Sequence, residues 1–156
     1  MNIIFLDVDG VLNSTKKLID IYNLTGKPHS GINYPFDEIC MNNLKRLAEE
    51  TNSYIIISSS WRKQKDKKER LLEELRKYDL EKRIIGYTKI LGTKADEIKD
   101  YILSFNQNIN FIILDDDKKL ESMIANLVIT NSYYGLSEEN VDKSIKLLRR
   151  NNNSSK

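Results

Sequence analysis

A single cysteine, Cys40, and a single histidine, His29, stand among 156 residues. One cysteine excludes an intramolecular disulfide and fits a reducing compartment. One of each is too few for a Cys/His zinc site within the chain. His29 lies in a polar stretch apart from Cys40, which reads as a small apolar helix residue rather than a nucleophile. No apolar stretch approaches the ~20 residues of a membrane span. The N-terminus runs straight into Asp7, with no room for a basic region plus an apolar signal core. The expectation is a soluble, cytoplasmic protein that contacts no membrane. A formal charge of only +2 excludes the molecule as a whole as an electrostatic binder of nucleic acid or membrane, so any such patch is local. Nothing in the chain points to an obligate protein partner, and it holds no internal repeat.

What remains is an ordinary globular composition, 40% hydrophobic and 31% charged, in a length that suits one domain. Apolar runs read as strands at residues 2–8, 54–57, 83–87, 110–114 and 127–130. Helical patterns lie between and after them, at 37–50, 62–78, 94–105, about 120–124 and 137–149. In 37–50 the inner face is assigned to Ile39, Leu44, Leu47 and Ala48. Thr93 with Asp96 approximates a capping box at the start of 94–105. Strands alternating with helices predict a three-layer α/β/α, Rossmann-like parallel sheet. Both prolines fall in the stretch 14–36, which exceeds the usual loop. It reads as a lid or small cap, with a short helix near 18–22. Residues 1–150 then form one domain, and 151–156 a disordered tail.

The chemistry concentrates at strand ends. Asp7-Val8-Asp9-Gly10 follows the first apolar run, and period-two alternation aims Asp7 and Asp9 the same way at the strand's carboxyl end. Two carboxylates so close need a cation or a shared proton. Ser58 and Ser59 end the second strand, Lys94 begins a helix, and Asp115 and Asp116 end another strand. In a parallel sheet such ends share one edge, where ligands bind. Carboxylate oxygens suit Mg2+. A lysine at a helix start and a serine hydroxyl suit a phosphate. One carboxylate can attack phosphorus while a second handles the proton.

Asp7-Val8-Asp9-Gly10-Val11 resembles the nucleophile motif of the haloacid dehalogenase (HAD) superfamily of phosphohydrolases. Ile57-Ser58-Ser59-Ser60-Trp61-Arg62, Lys94-Ala95-Asp96-Glu97-Ile98, Ile113-Leu114-Asp115-Asp116 and Gly135-Leu136-Ser137 resemble the small HAD domains related to those of Swiss Army Knife RNA repair proteins. The resemblance implies a HAD-like fold with a minimal cap. It implies Asp7 as nucleophile, Asp9 as general acid/base, and Mg2+ held by Asp7, the backbone carbonyl of Asp9, and Asp115 or Asp116. It further implies Lys94 with Ser58 or Ser59 as phosphate ligands. Counting from Trp61 favours Ser59; counting from the strand favours Ser58.

Weaker signals surround these. The basic run from Arg62 to Arg70 reads as a rim for a polyphosphate or nucleic-acid end, or as a solvated helix face, with Arg62 as its best substrate contact. Trp61 reads as core filling or as a base-stacking ring. Asp117 reads as a helix-start residue. Lys89 rivals Lys94 but has no helix start beneath it. Tyr22, His29 and Tyr34 are candidate lid contacts, and Asn13 either orients the loop after Gly10 or satisfies its backbone. The expected activity is a Mg2+-dependent phosphatase acting on a phosphorylated small molecule or a nucleic-acid end. The alternative is a non-catalytic module that binds phosphate or a partner, against which the retention of both Asp7 and Asp9 argues. Dehalogenation or phosphotransfer on the same scaffold is a third reading.

Overall fold

The computed structural model describes residues 1–154. Five strands, β1 (Asn2–Leu6), β2 (Ser53–Ile57), β3 (Ile84–Tyr87), β4 (Asn110–Asp115) and β5 (Leu127–Ile129), form one sheet in the order β3-β2-β1-β4-β5. Every pairing is parallel. The helices are α1 (Thr15–Thr25), α2 (Glu38–Thr51), α3 (Lys65–Arg76), α4 (Lys94–Leu103) and α5 (Glu138–Asn153).

The strands sort their side chains by parity. Ile4, Leu6, Ile55, Ile57, Ile112 and Leu114 face the layer of α2, α3 and α5. Ile3, Phe5, Ile56 and Ile113 face the opposite layer, where α4 packs with the 3₁₀ segment Lys118–Met123. The three-layer arrangement expected from the sequence is therefore present. Because β1 has β2 on one side and β4 on the other, the chain reverses its direction of winding across the β1/β4 boundary. A crevice opens outside the carboxyl ends of strands at such a point.

Several local readings change. Ile39 is exposed, and the inner face of α2 is formed by Cys40, Met41, Leu44, Leu47 and Ala48. The N-cap Asp37 bonds the backbone N–H of Ile39 and fixes a helical phase that turns this side chain outward. The stretch 14–36 contains a full helix, α1, and a 3₁₀ turn at Gly31–Asn33. Ser14 caps α1 by accepting from the N–H of Lys17, and its hydroxyl donates to Asp37 at 2.7 Å. Helix α5 continues to Asn153, so residues 151–153, read as tail, extend the helix; 155–156 lie outside the described residues. Its start is a complete capping box between Ser137 and Asn140. Among the described residues, no helix is long and apolar enough to cross a membrane.

Leu114 is fully buried and carries Asp115 on its carboxyl side. Leu114→Ala is expected to cost about 3 kcal/mol of unfolding free energy, read as a lower denaturant midpoint with an unchanged slope.

Candidate active site

Strand register brings the site together. Leu6 pairs with Ile57 on one side and Leu114 on the other. The ladder continues one step further, with the N–H of Asp7 bonding the Leu114 carbonyl and the N–H of Ser58 bonding the Leu6 carbonyl, both at 3.0 Å. By parity Asp7, Ser58 and Asp115 all lean toward the α4 layer, as Phe5, Ile56 and Ile113 do before them. Lys94, the first residue of α4, meets them there. Its Nζ donates to Asp115 Oδ2 at 2.7 Å and lies 3.4 Å from Asp7 Oδ1. Thr93 caps this helix by accepting from the N–H of Asp96.

Carboxylate oxygens of Asp7, Asp115 and Asp116 lie within 4.8 Å of one another. Asp7 is 6% exposed and Asp115 0%. Burial, then the charge of Asp115, pushes the Asp7 carboxyl up to about 7, against the pull of Lys94 and a bond from the Val8 N–H. Burial and Asp115 likewise raise Asp116. Burial works against the Lys94 ammonium, but the charges of Asp7 and Asp115 outweigh it and hold its pKa above the ordinary value.

Asp9 is placed differently from the expectation. Strand β1 ends at Leu6, and the chain turns back so that the N–H groups of Val11 and Leu12 bond the Val8 carbonyl. Gly10 takes φ +77°, and a Cβ there would collide with the Asp116 carboxylate. The exposed Asp9 side chain therefore stands outside the carboxylate cluster, facing a cleft that Asp116 also lines. Its Oδ1 accepts from Asn13 Nδ2 at 2.8 Å and from Trp61 Nε1 at 3.0 Å. Asn13 serves both of its expected roles, since its Oδ1 also accepts from the Gly10 N–H at 2.9 Å. Trp61 does not offer a stacking face. It is buried, lies edge-on to Phe36 at 5.4 Å, and directs its N–H at Asp9.

The two serines separate on hydrogen bonding. Ser59 Oγ accepts from the Trp61 N–H and caps a 3₁₀ turn. Ser58 Oγ is buried and has no hydrogen-bond partner among the described residues. A buried hydroxyl without a partner is costly unless a ligand satisfies it.

Arg62 is not available as a substrate contact. Its guanidinium is buried and bonds the carbonyls of Ser59 and Thr88 at 2.8 Å each and Lys89 at 3.1 Å, and it pairs with Glu97 Oε2 at 2.8 Å. Glu97 in turn accepts from the Leu91 N–H at 3.1 Å. The pair fastens the start of α4, and so Lys94, to the turn after β2. Sequence reasoning missed Glu97, which looks like one more polar residue on a charged helix. The indole bond of Trp61 was also missed, although a buried Trp N–H calls for an acceptor.

The remaining candidates fall outside the cluster. Lys89 pairs with Asp100 at 3.3 Å, and Asp117 caps the 3₁₀ segment through the Lys119 N–H, the helix-start role. His29 bonds the Lys27 carbonyl and lines another depression, while Tyr22 is exposed on α1. Burial pushes the Cys40 thiol up to about 12, which removes it as a nucleophile. A cleft of about 280 Å³ adjoins the cluster, with Asp9, Asn13, Thr15, Tyr34, Trp61, Lys67, Asp116 and Ser132 in its walls. A larger depression, about 630 Å³, lies by the far end of α4 and contains no titratable side chain.

A three-layer domain with a parallel sheet and an acidic cluster at its winding reversal is the class that fold and site define. The family model for the HAD domain in Swiss Army Knife RNA repair proteins matches residues 3–141, and the chain belongs to that family. Among curated proteins and solved structures no match is found. Membership suggests phosphatase-type chemistry, and an acidic cluster of Asp7, Asp115 and Asp116 is present.

The raised pKa of Asp7 has a consequence for stability. The folded state keeps a proton on Asp7 that the unfolded chain, with an ordinary value of 3.8, gives up. This contribution is full below pH 3.8 and is lost as pH rises through about 7. With EDTA present, Asp7→Asn is expected to melt above the wild type at pH 8, with the gap closing toward pH 5 in thermal unfolding curves.

Proposed function

We propose that this domain is a Mg2+-dependent phosphomonoester hydrolase that works through an aspartyl-phosphate on Asp7 and acts on nucleotides or nucleic-acid ends. The observation that carries the reading is the buried cluster of carboxylates around Lys94, next to the unpartnered hydroxyl of Ser58. The cluster's donors are all hard oxygens, and its carboxylates outnumber the single ammonium, so a divalent cation fits its charge and chemistry. Asp7, Asp115 or Asp116, and the backbone carbonyl of Asp9 would hold Mg2+, which when bound neutralises phosphate charge and orients the phosphoryl group.

The chain's own residues supply the rest. Lys94 pairs a phosphate oxygen, and Ser58 Oγ donates to another. An Asp7 oxygen attacks phosphorus in line, the bond from phosphorus to the leaving oxygen breaks, and Asp9 delivers a proton to that oxygen. Asp9 then takes a proton from water, whose oxygen attacks phosphorus and releases inorganic phosphate from Asp7. The bonds from Asn13 and Trp61 fix Asp9 Oδ1 and leave Oδ2 for proton exchange. The stretch 14–36 serves as the small cap, with Thr15 and Tyr34 in the cleft wall. The family's RNA repair context favours a nucleic-acid-related substrate.

The test is turnover of an aryl phosphate, nucleotides and 3′- or 5′-phosphorylated oligonucleotides with Mg2+ and with EDTA. EDTA and Asp7→Asn should each reduce turnover to background. Ser58→Ala should lower kcat/KM by about 10²-fold, and Ser59→Ala far less. Activity that survives EDTA or Asp7→Asn contradicts the reaction. Mg2+ binding without turnover of any substrate points instead to a module that binds phosphate without catalysis.

A further inference from the structure

Lys67 is the cation of the cleft that faces Asp9, and it makes no ion pair among the described residues. Of the other cations, Lys17 pairs with Glu38 at 2.8 Å, Arg62 with Glu97 at 2.8 Å and Arg70 with Glu74 at 3.3 Å, while the Lys68 ammonium lies 4.0 Å from the centroid of the Tyr87 ring. The Lys67 ammonium instead sits 5.2 Å from the centroid of the Trp61 ring, half-buried, with the aromatic behind it. A π face steadies an ammonium without neutralising it. The charge is thereby held at the cleft wall and left free to pair.

We propose that this cleft is the leaving-group subsite and that Lys67 pairs a second phosphate carried by the leaving alcohol. The inference rests on the reaction proposed above, in which Asp9 gives its proton to the leaving oxygen and so places the alcohol in this cleft. Tyr34 and Ser132 in the other walls carry hydroxyl groups suited to a sugar, while the Thr15 hydroxyl already donates to the Ser132 carbonyl at 3.4 Å. A volume of about 280 Å³ holds one small unit, which puts the second phosphate within about one sugar of the reacting one. Lys63 and Lys65, exposed and without ion pairs among the described residues, continue the positive charge along the same segment, as a run of phosphates requires. The substrate class is a phosphomonoester whose alcohol bears a further phosphate, either a nucleoside 3′,5′-bisphosphate or the phosphorylated end of a polynucleotide.

The experiment compares kcat/KM of wild type, Lys67→Met and Lys67→Arg on a nucleoside monophosphate, the matching 3′,5′-bisphosphate and a 3′-phosphorylated oligonucleotide. The preference of wild type for the doubly phosphorylated substrates over the monophosphate should fall about 10- to 100-fold in Lys67→Met and persist in Lys67→Arg. A fall confined to the bisphosphate assigns the free nucleotide, and one confined to the oligonucleotide assigns the polynucleotide end. A ratio unchanged by Lys67→Met overturns the inference while leaving the reaction standing. If the wild type hydrolyses none of them, the reaction fails. Fluorescence of Trp61, the only tryptophan, then tests Lys67 alone in a titration with the bisphosphate. A saturable change lost in Lys67→Met supports the subsite, and no change in wild type overturns it.

Discussion

The contact on which the rest of this structure depends is that of one ammonium, Lys94 Nζ, with the carboxylates of Asp7 and Asp115. It joins the carboxyl ends of β1 and β4 at the point where the sheet reverses its winding. Three carboxylates crowd around this one cation. Removing the ammonium would leave these carboxylates uncompensated, which for a buried pair typically costs about 3–5 kcal/mol. The arrangement is a poor way to stabilise a fold, and the proposed reaction uses it to hold a cation and a phosphate.

Keeping Lys94 in place requires a second buried pair. Arg62 and Glu97 couple the first turns of α4 to the turn carrying Ser58 and Ser59. The turn after β1 is fixed in parallel, with Thr130 Oγ1 donating to the Gly10 carbonyl at 2.7 Å and Asn13 closing the loop from within. Gly10 allows Asp116 to approach because it lacks a Cβ. Asp7 and Asp9 are thus separated by a rigid turn into two environments, one dry and crowded, one open to a cleft. Environment sets the role of a carboxylate. In the proposed reaction the buried one attacks, and the exposed one, with an oxygen left free by Trp61 and Asn13, moves a proton.

The sheet, its helices and the convergence of Asp7, Ser58, Lys94, Asp115 and Asp116 were legible because each rests on periodicity or on a strand or helix end. Strand parity decides which side chains share a face, and a parallel sheet gathers strand ends on one edge. Three kinds of information were not legible. The placement of Asp9 depends on β1 stopping at Leu6, and a strand boundary is not encoded in alternation. Arg62 looked like substrate chemistry because its neighbours are basic, yet its partners, the Thr88 and Lys89 carbonyls and Glu97, are distant in sequence. Ser58 and Ser59 are chemically identical, and only the hydrogen bond that Ser59 makes to the Trp61 N–H tells them apart.

The central claim, that Asp7 rather than a neighbouring carboxylate receives the phosphoryl group, has a direct measurement. Acid quench during turnover, reduction with borohydride and peptide mass mapping convert a phosphorylated aspartate to homoserine at its own position. The expected result is reduction at Asp7, dependent on both substrate and Mg2+. Reduction at Asp9, Asp115 or Asp116, with Asp7 unmodified, would contradict it.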